Sequence, residues 1–194
     1  MRIGLLGGSF NPPHQGHAYI SKLAMKRLKL DAVWWLVTPQ NPFKAAHETV
    51  DFATRMDLCR AIPKDNRIVV SDLEQRFDLH RSIDTVKFIK KHYSQTDFVW
   101  LTGMDLVVEI PRWKNWTELL DEIAFAHVIR PPTPALVRNS PIRQRHSQMH
   151  IFNPNTQDKG RIDLKPAHTY WILDARGHTA SSTEIRTKLK RYKK

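Results

Sequence analysis

The sequence predicts an α/β protein: one doubly wound parallel sheet with helices on both faces. Three observations carry that expectation. Short apolar runs alternate with helical stripes along most of the chain, the pattern of strand–helix–strand units with right-handed crossovers. The runs are continuous, AVWWLV at 32–37 above all, as in strands covered on both faces. The first run, Ile3 to Leu6, closes on Gly7-Gly8 and soon gives way to a helical pattern, so a strand there ends in a tight loop.

In order, a helix is expected over 17–29, with Ile20, Leu23, Ala24 and Leu28 inward and Lys22, Lys26, Arg27 and Lys29 outward. The second strand is Ala32 to Val37. The stretch TPQNPFKAAHETVD is a loop broken by Pro39 and Pro42. Phe52, Met56, Cys59 and Ile62 make the next helical stripe, and Ile68 to Val70 the third strand. Ser82 is placed as the cap of a helix through Ile83, Val86, Ile89 and Tyr93. Phe98 to Leu101 is the fourth strand. Thr117 is placed as the cap of a helix through Leu120, Ile123 and Ala124, and Ala126 to Ile129 is the fifth strand. Residues 131–166 break the rhythm: they hold six of the twelve prolines, and basic residues such as Arg138, Arg143 and Arg145 outnumber acidic ones. They read as a long, basic, partly mobile excursion with short secondary structure at most. A solvated loop and a nucleotide-closing or oligomer-forming segment are both open for it. Tyr170 to Leu173 is a sixth strand, and a last helix starts near residue 182.

A chain of 194 residues suits one domain, 1–194, with a sizeable core. The net charge of +12 points to anionic partners: nucleic acid, an anionic membrane, or phosphorylated small molecules. Cys59 is the one cysteine, which excludes an intrachain disulfide framework and fits a reducing cytosol. It falls in an apolar row, so a packed thiol is expected. No apolar run approaches about 18 residues and no signal-peptide core opens the chain. A soluble cytoplasmic protein is therefore expected.

Chemistry concentrates at the two ends. Ser9, Phe10, Asn11 and Pro12-Pro13 follow the glycines, and then come His14 and His17, spaced H-x-G-H at a helix start. Orphan amides and the helix dipole make such a start an anion site, and two imidazoles three residues apart share a face. An ordinary strand-to-helix turn, or half of a metal site, would use the same residues. Near the other end stands ASSTEIR, 180–186. Ser181 and Glu184 make an S-x-x-E capping box. Ser182, Thr183 and Arg186 around that helix start offer a second anion site. In the middle, Gly103-Met104-Asp105 follows the fourth strand. Asp105 suits ribose hydroxyls at a strand end or a plain helix cap.

The string GGSFNPPHQGH resembles the nucleotidyltransferase superfamily that carries an H-x-G-H motif, a Rossmann-like fold. Within it the chain looks most like the nicotinate-nucleotide adenylyltransferases. ASSTEIR is similar to the family's I-S-S-T-x-I-R motif apart from Ala180, and Gly103-Met104-Asp105-x-x to its G-x-D-x-L element. Asn11 stands where the family usually has Asp, and Arg81 where Tyr is common.

The resemblance implies a reaction: transfer of AMP from ATP to nicotinate mononucleotide, releasing pyrophosphate, a step of NAD biosynthesis. It assigns catalysis to His14, His17, Lys44 and Arg186. ATP binding falls to Gly7, Gly8, Ser9, Phe10, His17, Gly103, Asp105, Ser182, Thr183 and Arg186. The mononucleotide falls to Asn11, Lys44, Arg55, Ser82, Thr85 and Trp113, with Trp113 stacking on the pyridine ring. A Mg²⁺ ion held mainly through ATP phosphates completes the set. An acid is expected over an amide, because the helix start at Ser82 supplies donors only. Two rivals are a sibling enzyme acting on phosphopantetheine or a cytidylyl group, and a nucleic-acid-binding Rossmann-like protein using the KLKRYKK tail.

Overall fold

The structure, a computed structural model, describes residues 1–39, 50–62, 64–129, 139–154 and 162–173. Lys44, the ASSTEIR string and the final helix therefore lie outside the described residues. Seven described strands form one parallel sheet: β1 (Arg2–Gly8), β2 (Ala32–Val37), β3 (Ile68–Ser71), β4 (Asp97–Gly103), β5 (Ala124–Ile129), β6 (Met149–Phe152) and β7 (His168–Leu173). Their order is β3-β2-β1-β4-β5-β7-β6, every pair parallel. The order reverses between β1 and β4, and a sheet of this kind binds ligands outside the carboxyl ends of the strands at that reversal.

Six helices are described: α1 (Gln15–Leu28), α2 (Phe52–Ala61), α3 (Leu73–Arg76), α4 (Ser82–His92), α5 (Met104–Val107) and α6 (Trp116–Glu122). They cover both faces because each strand is apolar on both. Along β1, Leu6 belongs to the core under α1 and α2, with Ala24, Leu28, Met56 and Cys59. Ile3 and Leu5 belong to the opposite core, with Val86 and Ile89 of α4 and Leu119 and Leu120 of α6. Gly4 has room for no side chain, since a Cβ there would stand 2.7 Å from Leu101. Cys59 is fully buried, and burial pushes its thiol up to about 12. It packs and does not react.

Several expectations are corrected. The helix start expected at Ser82 is capped by Arg81, with Ser82 as its first residue. The cap expected at Thr117 is Asn115, held at φ 56°, a left-handed conformation that asparagine tolerates. That helix stops at Glu122, and Ala124, expected within it, begins β5. Strand pairing takes Ala124 because it lies opposite Val99 of β4. α3 and α5 were not foreseen, since four residues are too few to show a period.

Of the excursion at 131–166, residues 139–154 and 162–166 are described. It contains β6, which pairs with β7, so the expected sixth strand is the seventh. Ile142 and Leu164 enter the cores. Gln148, nearly buried, accepts from the Thr169 hydroxyl at 2.9 Å and donates to the Leu120 carbonyl at 3.2 Å. Those buried bonds, rather than an apolar period, hold the segment in place.

Candidate active site

The loop after β1 is organised by one arginine. Arg55 of α2 is 1% exposed. Its guanidinium donates from Nε to the Val50 carbonyl (2.8 Å), to the carbonyls of Ser9 (2.7 Å) and Thr38 (2.8 Å), and to that of Pro39 (2.7 Å). Four carbonyls from three chain segments converge on it. The resemblance puts Arg55 on the mononucleotide; in the structure its guanidinium meets these four backbone carbonyls. Phe10 is also buried, at φ 45°, stacked 5.1 Å from Trp35. Asn11 is 5% exposed and its Oδ1 lies 3.5 Å from the Val50 amide. Gly7 and Gly8 line a cavity. A Cβ on Gly7 would come 2.9 Å from the Trp100 ring, so glycine lets that ring pack under the loop.

The two histidines form the N-terminus of α1. His14 is its cap, and its Nδ1 accepts from the Gly16 amide at 3.1 Å. His17, third in the helix, returns the favour: its Nδ1 accepts from the His14 amide at 3.1 Å. This is a reciprocal capping box built from imidazoles. His14 Nδ1 accepts, so a neutral His14 carries its hydrogen on Nε2; His17 Nδ1 lies within reach of both the His14 amide (3.1 Å) and the His14 carbonyl (3.3 Å), and its tautomer sets which of the two it bonds. The rings lie 3.9 Å apart, tilted by 36°. Behind them the Trp35 indole donates to Ser21 Oγ (2.9 Å), and Ser21 donates to the His17 carbonyl (2.9 Å). Two imidazoles fixed at a helix N-terminus suit an oxyanion on phosphorus.

At the end of β4, Asp105 is exposed in the first turn of α5. A Cβ on Gly103 would meet its carboxylate at 2.6 Å, so glycine is what allows Asp105 to fold back there. Asp105 is not the helix cap; Gly103 is.

A cavity of about 430 Å³ opens beside the loop, lined by residues that include Gly7, Ser9, Thr38, Ser82, Trp100 and Trp113. Trp113 meets Trp100 edge-on, their centroids 6.4 Å apart. It thus stands at the cavity wall as a flat apolar face. Ser82 lines it as expected. Thr85 does not reach it: fully buried, it donates to Glu74 at 3.0 Å.

Glu74 was missed in the sequence, on a helix too short to read, and it changes the cavity. Its carboxyl is 5% exposed, lines the cavity, and takes hydrogen bonds from the Thr85 and Thr38 side chains. Burial raises its pKa in spite of those bonds and of nearby His80. The cavity is therefore not built from donors alone. A carboxyl with a raised pKa binds its proton more tightly folded than unfolded, so its contribution falls as pH rises from the ordinary glutamate range through the raised value. Glu74→Gln is expected to raise Tm at about pH 8 and to lose that gain near pH 4. Thermal unfolding at both pH values checks this; an equal shift at both would show that the charge is not what burial penalises.

Among the described residues no three His, Cys, Asp or Glu side chains cluster to hold a metal ion, and no helix is long and apolar enough to cross a membrane.

A glycine loop and an imidazole-capped helix at the reversal point of a parallel sheet define a nucleotide-handling site of the Rossmann-like class. The cytidylyltransferase-like family model matches residues 5–188. A probable nicotinate-nucleotide adenylyltransferase of Caulobacter sp. (strain K31) is 43% identical over 187 residues, 96% of this chain and 97% of that one. One from Bradyrhizobium sp. (strain BTAi1 / ATCC BAA-1182) is 38% identical over 186 residues, 96% and 95% of the two chains. The solved structure of Plasmodium falciparum nicotinic acid mononucleotide adenylyltransferase complexed with NaAD shares the fold, with a TM-score of 0.71 at 18% identity over 96% of this chain and 82% of that one. The chain belongs to the cytidylyltransferase-like family, and within it to the nicotinate-nucleotide adenylyltransferases.

Proposed function

We propose that this chain transfers the adenylyl group of ATP to nicotinate mononucleotide, forming nicotinate adenine dinucleotide and pyrophosphate in the cytoplasm. The observation that carries this reading is the reciprocal cap of His14 and His17, which fixes two imidazoles at the helix start that follows the glycine loop. The names of the relatives in Caulobacter and Bradyrhizobium support the choice of substrates.

A phosphate oxygen of the mononucleotide attacks the α-phosphorus in line, and the bond to the departing pyrophosphate breaks. The nucleophile is already an anion near neutral pH, so no side chain has to remove a proton. What the protein supplies is position and charge. His14 and His17 donate to the α-phosphate and its leaving oxygen. Gly7, Gly8, Ser9 and Phe10 shape the loop around ATP, with Gly103 and Asp105 at the ribose. Ser182, Thr183 and Arg186 close on the triphosphate, and Lys44 clamps from the other side. Trp113 and Ser82 form the pyridine wall of the cavity, with Asn11 near the mononucleotide. A Mg²⁺ ion held mainly through the ATP phosphates would offset charge on the triphosphate.

The test is direct. Purified protein, ATP and Mg²⁺ are mixed with nicotinate mononucleotide, nicotinamide mononucleotide, or phosphopantetheine, and with CTP in place of ATP. Pyrophosphate should appear with ATP and the pyridine mononucleotides. Release only with phosphopantetheine or only from CTP overturns the assignment. A salt-sensitive gel shift on nucleic acid without adenylyl transfer overturns it as well.

A further inference from the structure

We infer that Arg81 is the residue by which this cavity selects a carboxylate over a carboxamide. The inference rests on the function proposed above and names a determinant within it. The cavity wall carries four cationic or ionisable basic side chains: His80, Arg81, Arg112 and Lys114. His80 is engaged by Asp78 at 3.0 Å. Lys114 follows Trp113 directly in sequence, and its compact ammonium suits a phosphate as a point charge. Arg112 has interactions of its own, and Arg81 differs from all three. It is the cap residue of α4, extended at φ −132° and ψ 140°, and its side chain caps nothing. Among the described residues its guanidinium has no hydrogen bond and no ion pair, and it is exposed on the cavity wall next to Ser82.

The chemistry of the wall explains why a cation is needed there. Glu74, buried in the same wall, brings a carboxyl group to the site, and Glu109 lines it too. A carboxylate ligand entering beside two acidic side chains would be rejected by charge alone, whereas a carboxamide would not. With only those groups the cavity would favour the amide. Arg112 and Lys114 on the same wall offset that charge too, and the Arg81 guanidinium adds to them a fork that no described residue engages. Its planar fork meets both oxygens of a carboxylate with parallel N–H donors. Against an amide the same fork gains one oxygen and faces the NH₂ with donors, an unpaired arrangement that costs binding. Thr85 and Thr38 hold Glu74 in place from behind, so the acid does not swing out to neutralise Arg81.

The experiment compares kcat/KM for nicotinate and nicotinamide mononucleotides in the full chain, as wild type, Arg81→Gln, Arg81→Lys and Arg76→Gln. Arg76 is an exposed arginine of α3 paired with Asp72 at 3.2 Å, away from the cavity wall, and controls for loss of one positive charge. Arg81→Gln is expected to lower the acid-to-amide ratio by threefold at least, and by about tenfold where the fork takes both oxygens. Arg81→Lys should retain part of the ratio through its charge, and Arg76→Gln should keep it within about twofold. Arg81 is exposed, so the variants should match wild type in Tm, which is measured alongside. A fall of less than threefold in Arg81→Gln, an equal fall in Arg76→Gln, or a wild type that prefers the amide overturns the inference while leaving adenylyl transfer standing. Failure of the wild type to turn over either mononucleotide overturns the functional reading and this inference with it.

Discussion

Replacing His14 or His17 by alanine is expected to lower kcat by about 100-fold or more, the loss seen when one preorganised donor to a transition state is removed. The structure adds a second, separable effect. Both rings are capping groups of α1 through Nδ1, so each alanine should also cost about 1 kcal/mol of stability. Two further substitutions divide the effects. Asparagine is a good cap residue, and glutamine is the usual third-position partner in a capping box. His14→Asn and His17→Gln should therefore recover most of the lost Tm while kcat stays low. Measuring both quantities on all four variants decides the matter. If kcat recovers together with Tm, the imidazoles act by holding the helix start, and the phosphate has another partner.

The architecture was legible because it depends on what sequence shows best. Continuous apolar runs are the mark of strands buried on two faces, and β2 was placed at both ends as AVWWLV. The glycine loop and its histidines were legible because their residue types and spacing are unusual in combination. The failures have one physical origin: they involve short elements and polar burial. α3 carries Glu74 on four residues, below the length at which a helical period can be counted. β6 sits in a basic, proline-rich stretch and is exposed at Met149 and Phe152, and its apolar residues, Met149, Ile151 and Phe152, span too short a run to mark a strand. What holds it is its pairing with β7 and the bonds of Gln148, and a hydrogen bond between distant residues leaves no local trace. Arg55 shows a different limit of the sequence. A basic residue near a phosphate site reads as a ligand, yet this one spends its donors on carbonyls.

These errors point to how the site is built. The residues that meet substrate in the proposed reaction stand on turns and helix starts, where donors are exposed. The residues that fix those turns are buried ones: Arg55 beneath the loop of Ser9, Glu74 between Thr38 and Thr85, Trp35 and Ser21 behind His17. Thr38 belongs to both of the first two groups, giving its carbonyl to Arg55 and its side chain to Glu74. Thr38, directly after β2, is thus tied on one side to the arginine that holds the glycine loop and on the other, through Glu74 and Thr85, to the start of α4.

Arg55→Met is expected to be among the most damaging single changes in the chain. Removing the guanidinium leaves the carbonyls of Ser9, Thr38, Pro39 and Val50 without this donor, in a place where the side chain itself is 1% exposed. Breaking a buried charged network from one side costs about 3–5 kcal/mol. In a domain of this size that lowers Tm by roughly 10 °C. Arg55→Lys is the sharper test. Lysine keeps the charge, but its three donors radiate from one nitrogen and cannot span carbonyls on separate segments as a planar fork does. Charge retention should therefore rescue little: Tm should stay well below wild type, and KM for ATP should rise, because the Ser9 turn beside His14 is no longer held. Burial already disfavours the cation at this position, so a lysine there also loses charge more readily than an arginine. Thermal unfolding and ATP kinetics on the two variants measure both effects. A lysine variant with wild-type Tm and wild-type KM would mean that the positive charge alone, and not the fork, organises the loop.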